Sequence, residues 1–152
     1  MPPATRLVAA EAFWNDDQST EQQVEVIVGL ARKLNFRPKS IQALPVERRA
    51  RQLAQILDVS ETVAARALIA LHLHAQRPLM AAFLDALGIP HDNGIITAES
   101  VPAPAADRLE KAVAALRAAA FPADDVTLYL RTLAAVDGDT WGGLDTLAGV
   151  SP

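Results

Sequence analysis

Cysteine is absent from this 152-residue chain. That excludes disulfides, thiolate zinc sites and thiol catalysis together. Aromatic residues make up only 5%, so the core must rest on aliphatic side chains. No apolar run approaches the roughly 18 residues of a membrane-spanning helix. Also missing are a P-loop, a glycine-rich dinucleotide turn, the G-x-S-x-G nucleophile elbow and the H-E-x-x-H zinc motif. With these gone, the chain is expected to be non-catalytic, without a cofactor or resident metal. The opening "MPPATRLVAAEAFWNDD" has one Arg and an apolar patch interrupted by Glu11, too short for a signal peptide. A cytoplasmic protein is the expectation.

What the chain does have is alanine, 30 residues of it. Alanine and leucine prevail over β-branched and aromatic residues, which favours helix throughout. The expected fold is all-α: a compact, bundle-like domain of about six or seven helices around an Ala-rich central helix at about 61–76. Residues 1–18 read as a loose arm. A helix begins at Ser19 or Thr20, where Gln22 or Gln23 would complete a capping box, and 19–97 forms the main core. Pro45 opens a helix whose Val46, Ala50, Leu53 and Leu57 share one face, with Arg48, Arg51, Gln52 and Gln55 opposite. Asn93-Gly94 predicts a small hairpin within 89–96. The stretch 98–106, "AESVPAPAA", reads as a linker. A helical hairpin at 107–152, started by Asp107 and Glu110, docks on the core to give one domain overall.

The stretch "LAQILDVSETVAARAL", Leu53 to Leu68, resembles the helix-turn-helix of DNA-binding proteins over about twenty residues. Ala54 in the first helix, Val59-Ser60 in the turn and Arg66 in the second carry the likeness. Asp58, where such turns usually hold Gly, and Ala65, where a branched residue usually anchors the second helix, depart from it. The resemblance implies a DNA-binding regulator using residues 46–68. The composition of the second helix points elsewhere, because "TVAARALIALHLHAQ" is apolar nearly all round. Such a helix is expected inside the fold, not in a groove where Arg, Lys, Asn or Gln must meet base edges.

Charge is unevenly placed. Arg32, Lys33, Arg37, Lys39, Arg48, Arg49 and Arg51 are seven of the fourteen Lys and Arg, set against the single acid Glu47. That is a local +6 in a chain of formal charge -4. The preceding stretch carries Glu11, Asp16, Asp17, Glu21 and Glu25 without a base. The two regions either compensate each other, or the basic one faces an anion. Arginine suits bidentate capture of carboxylate or phosphate. Only Phe36 interleaves with these bases, whereas single-stranded nucleic acid would call for several stacking aromatics. The leading expectation is a non-catalytic interaction module whose basic face binds an acidic protein partner. Nucleic acid is disfavoured by the overall acidity, and a membrane is not expected. The Ala-rich stripes are compatible with a homodimer.

The pair His72 and His74 lies about 200° apart on a helix and so cannot share one metal ion. A third reading places a small-ligand or metal site where His74 would meet His91 or Asp92. The acid pairs Asp16-Asp17 and Asp124-Asp125 fall at apparent helix starts, where the helix dipole explains them.

Overall fold

The computed structural model describes residues 1–57 and 60–149. Within them the chain is all-α, with ten helices and one two-stranded hairpin. It divides into two compact units, Met1–Ala75 and the chain from Gln76 onward.

The first unit is built around the segment expected to be a loose arm. Helix α1, Pro3–Trp14, starts with proline at its first turn, where the missing N–H costs nothing. Its Ala9, Ala10 and Phe13 are fully buried, and α1 packs against both α4 (Val46–Ile56) and α5 (Glu61–Ala75). The arm is therefore corrected to the central helix of this unit. Two small residues side by side let neighbouring helices approach closely around Phe13. The same alanines blur the apolar stripe that would have marked the helix.

Helix α2, Thr20–Leu34, begins where expected, but without the capping box. The Gln23 side-chain amide instead donates to the carbonyls of Phe13, at 2.8 Å, and Asp16, at 3.0 Å. It closes the C-terminal end of α1, not the start of its own helix. The C-terminal end of α2 is capped by Asn35 at φ 55, a left-handed position that Asn tolerates. A five-residue helix α3, Pro38–Gln42, packs on α2 and buries Ile41.

Helix α4 follows its sequence pattern closely. Ala50, Leu53 and Leu57 are 0–1% exposed, while Arg48, Arg51 and Gln55 face solvent. Arg6 of α1 donates from Nε to the carbonyl of Ala54 at 2.8 Å and ties the two helices together. Ser60 caps α5 as expected, its Oγ accepting from the Val63 N–H at 3.4 Å. Helix α5 is not enclosed on all sides. Val63, Ala67, Ala70, Leu71 and His72 are buried, but Thr62, Ala65 and His74 are exposed. Alanine is permitted on either side of a helix surface, so its abundance did not fix burial.

The second unit begins at a break. Gln76 leaves helical geometry with φ -130 and ψ 30, and Pro78 lies in the first turn of the helix that follows. Helix α6, Arg77–Leu87, ends at Gly88 with φ 70. The expected hairpin is present: β1, His91–Asp92, pairs antiparallel with β2, Ile95–Ile96, through Asn93 and Gly94, both at positive φ. Residues 98–105 have no regular structure but are not a unit boundary. The division falls at residue 75/76 because α6 buries its apolar face against α7, Ala106–Ala118, across that segment. Helix α7 starts without a side-chain cap, so the Asp107–Glu110 expectation is corrected, and its Leu109, Ala112, Val113 and Leu116 point inward. Helix α8, Ala123–Val136, packs against two short helices, α9 (Gly138–Trp141) and α10 (Leu144–Ala148). Phe83 meets Tyr129 edge-on at 5.7 Å and Trp141 at 6.0 Å, which gathers three of the four aromatics of this unit into one cluster. Edge-to-face pairs of this kind add about 0.5–1.5 kcal/mol beyond area burial. No helix among the described residues is long and apolar enough to cross a membrane.

Candidate functional site

The basic residues lie on three consecutive helices of the first unit. Arg32 and Lys33 are in the last turn of α2, Arg37 is at the start of α3 and Lys39 within it, and Arg48, Arg49 and Arg51 are on α4. Six of the seven are exposed, and Arg49 is half-buried. On α4, Arg48, Arg51 and Gln55 follow one another at three- and four-residue spacing and form one ridge. Arg49, one residue on, turns toward α1. Its guanidinium carbon stands 4.9 Å from the centroid of the Trp14 ring, a cation–π arrangement. Its Nε is buried with no hydrogen-bond acceptor among the described residues. Arg49 therefore belongs to the packing of α1 on α4. Sequence reasoning missed this role because it left Trp14 in a loose arm.

None of these seven cations has a carboxylate within 4.0 Å among the described residues. The acidic stretch 11–25 does not neutralise them by contact. Its Asp16 is buried elsewhere, and Glu25 accepts from Ser60 Oγ at 3.1 Å. Six exposed cations without an ion-pair partner among the described residues remain, together with Phe36, 53% exposed.

Asp16 anchors a polar cluster that the sequence did not reveal. Its Oδ2 accepts from Ser19 Oγ at 2.5 Å and from Arg66 Nη2 at 3.2 Å. Its Oδ1 accepts from the Gln18 N–H at 3.4 Å and lies 3.5 Å from His74 Nε2. Burial pushes the Asp16 carboxyl up, but the bonds from Ser19, Gln18 and His74 and the Arg66 charge outweigh it. The group is held below the usual aspartate range. Serine, histidine and aspartate meet here in the wrong order for nucleophilic catalysis. A triad needs the imidazole between hydroxyl and carboxylate, whereas here the carboxylate sits in the middle and Ser19 is fully buried. The cluster is a structural knot joining the end of α1, the start of α2 and α5. Its partners are about 50 residues apart in sequence, and no local pattern carried that signal.

The histidine reading resolves within each unit. His74 faces Asp16 in the first. In the second, His91 Nδ1 accepts from the Gly94 N–H at 3.0 Å, which leaves Nε2 to donate to Asp85 Oδ1 at 2.7 Å. Both ring nitrogens of His91 are thus engaged in holding the hairpin to α6. Asp92 is exposed. No group of three or more His, Asp or Glu side chains able to hold a metal exists among the described residues. A cleft of about 350 Å³ lies in the second unit at the Pro/Ala segment, with Val101, Pro102 and Arg108 on its walls and no histidine among its lining residues.

The helix-turn-helix likeness fares as follows. The turn residues Asp58 and Val59 lie outside the described residues. On α5, the exposed positions near the start are Glu61, Thr62 and Ala65. Arg66, the basic residue of the likeness, is held by Asp16 and Ser19. Phosphate repels Glu61 and Ala65 offers no hydrogen bond, which leaves Thr62 as the one exposed donor side chain among these positions.

Compared with protein-family models, with characterised proteins and with solved structures, the chain matches none.

Proposed function

We propose that the protein is a non-catalytic helical interaction module whose basic face, carried by Arg37, Lys39, Arg48 and Arg51 with Arg32 and Lys33 beside them, binds an acidic protein partner. The observation that supports this reading is the set of exposed cations with no carboxylate within 4.0 Å among the described residues. A helix face that served only to solubilise the chain would gain by pairing with the acids of 11–25. Here two of those acids, Asp16 and Glu25, are used otherwise. An acidic protein suits the face better than nucleic acid, because the chain is acidic overall and Phe36 is the one aromatic among the bases.

The test is titration of a fluorescent polyglutamate peptide, followed by anisotropy, at low and raised salt. Arg48→Glu with Arg51→Glu should weaken binding by about tenfold or more, since two favourable charge contacts become repulsive. Arg49 is left unchanged because it supports Trp14. Absence of peptide binding, or binding indifferent to the two reversals, would overturn the proposal. Tighter binding of random duplex DNA with a steep salt dependence would transfer the face to nucleic acid.

A further inference from the structure

The outer face of α2 has exposed features that, one oxygen of Glu25 apart, nothing among the described residues uses. Val24 is 54% exposed and Val28 39% exposed, one helical turn apart. Gly29 follows Val28, about 100° farther round the helix, and an added Cβ there would meet nothing within 4 Å among the described residues. Glycine in mid-helix is unfavourable relative to alanine, and here no contact in the chain requires the missing side chain. Glu21 and Glu25 lie toward the start of this face, Arg32 and Lys33 toward its end. Glu21 and the two bases also suit the helix dipole, but that effect fades beyond the first turn and does not account for Glu25. One oxygen of Glu25 accepts from Ser60, and the other is unengaged among the described residues.

We infer that this face pairs with itself in a second copy of the chain, α2 against α2 in antiparallel orientation. A two-fold axis near the middle of the helix sets the acidic half of each copy against the basic half of the other. The same axis brings the valines of one beside the glycine of the other, where the absent side chain lets the backbones approach. A parallel pairing would oppose acid to acid and base to base. Two-fold symmetry makes the surface self-complementary, as an isologous interface requires. With α2 about 22 Å long, the contact falls below the roughly 1,200 Å² of a standard interface, so the dimer is weak and concentration-dependent. The inference does not rest on the acidic-partner reading, which is tested on α4.

Sedimentation equilibrium of the full chain from about 10 µM to about 500 µM should show the mass rising from monomer toward dimer. Two variants sharpen the test: Glu21→Lys with Glu25→Lys, which makes the face basic throughout, and Arg32→Glu with Lys33→Glu, which makes it acidic throughout. Each alone should stay monomeric with an unchanged circular dichroism spectrum, and an equimolar mixture should regain the dimer. Gly29→Gln, which meets no obstacle within the monomer, should also abolish association. A chain that stays monomeric at every concentration leaves this face to another occupant and overturns the inference. So does a dimer insensitive to both charge variants, or a mixture that fails to associate.

Discussion

Among single residues, Asp16 has the strongest consequence. It is a buried carboxylate with four donors around it, and Arg66 supplies a formal charge. Asp16→Asn keeps the shape but removes the charge that Arg66 meets, and it turns an acceptor into a donor facing Ser19 or His74. The cost should be about 2–4 kcal/mol of unfolding free energy at neutral pH, measured by urea titration. The folded-state pKa lies below the ordinary aspartate value of 3.8. A group lowered in this way contributes its full stability above the unfolded value, and loses it as pH falls through the folded one. The deficit of Asp16→Asn should therefore shrink as pH drops below about 4. A deficit that persists unchanged at low pH would show that the misplaced amide donor, not the lost charge, causes it. None of this was readable from the sequence. Asp16 and Ser19 sit in a short polar stretch that resembles any loop, and their partners Arg66 and His74 arrive from a distant helix.

At the scale of elements, legibility followed how strongly each segment contrasted its two faces. In α4, Ala50, Leu53 and Leu57 alternate with arginine and glutamine, so spacing alone separates these three from exposed Arg48, Arg51 and Gln55, while Val46 and Gln52 at the edges of the two faces are half-buried. In α1 and α5, alanine occupies both sides, so the pattern reads as a loose arm in one and as an enclosed core helix in the other. The hairpin was legible because Asn93-Gly94 meets a backbone demand that few other pairs satisfy. Gly94 has φ 89, and a Cβ there would stand 2.7 Å from Met80 Cβ and 3.1 Å from the Arg77 carbonyl oxygen. Gly94→Ala should therefore destabilise the second unit by about 1–3 kcal/mol and weaken the His91–Asp85 contact. The His91 imidazole resonances in NMR provide the check, since an unaltered spectrum would mean that the turn accommodates a side chain. The candidate face was legible in part. Seven bases in twenty residues mark it plainly, but the diversion of Arg49 to Trp14 depends on where α1 lies.

At the scale of the molecule, the two units carry one tryptophan each, and both rings are buried: Trp14 in the first, Trp141 in the second. Trp14→Phe and Trp141→Phe variants thus leave a single fluorescent reporter for each unit. In urea unfolding the two reporters should give distinct midpoints, because each unit buries its own apolar core and multi-unit chains commonly depart from two-state behaviour. Coincident midpoints and slopes would mean that the units unfold as one.

The position of α1 has a consequence for how the chain comes into being. It leaves the ribosome well ahead of α4 and α5, the two helices that cover Ala9, Ala10 and Phe13. During that interval the apolar side of α1 is open to whatever surrounds the nascent chain. Closure of the first unit must await residues near 70, at the usual elongation rate of about 5–20 residues per second, so several seconds of translation separate the making of its centre from its burial.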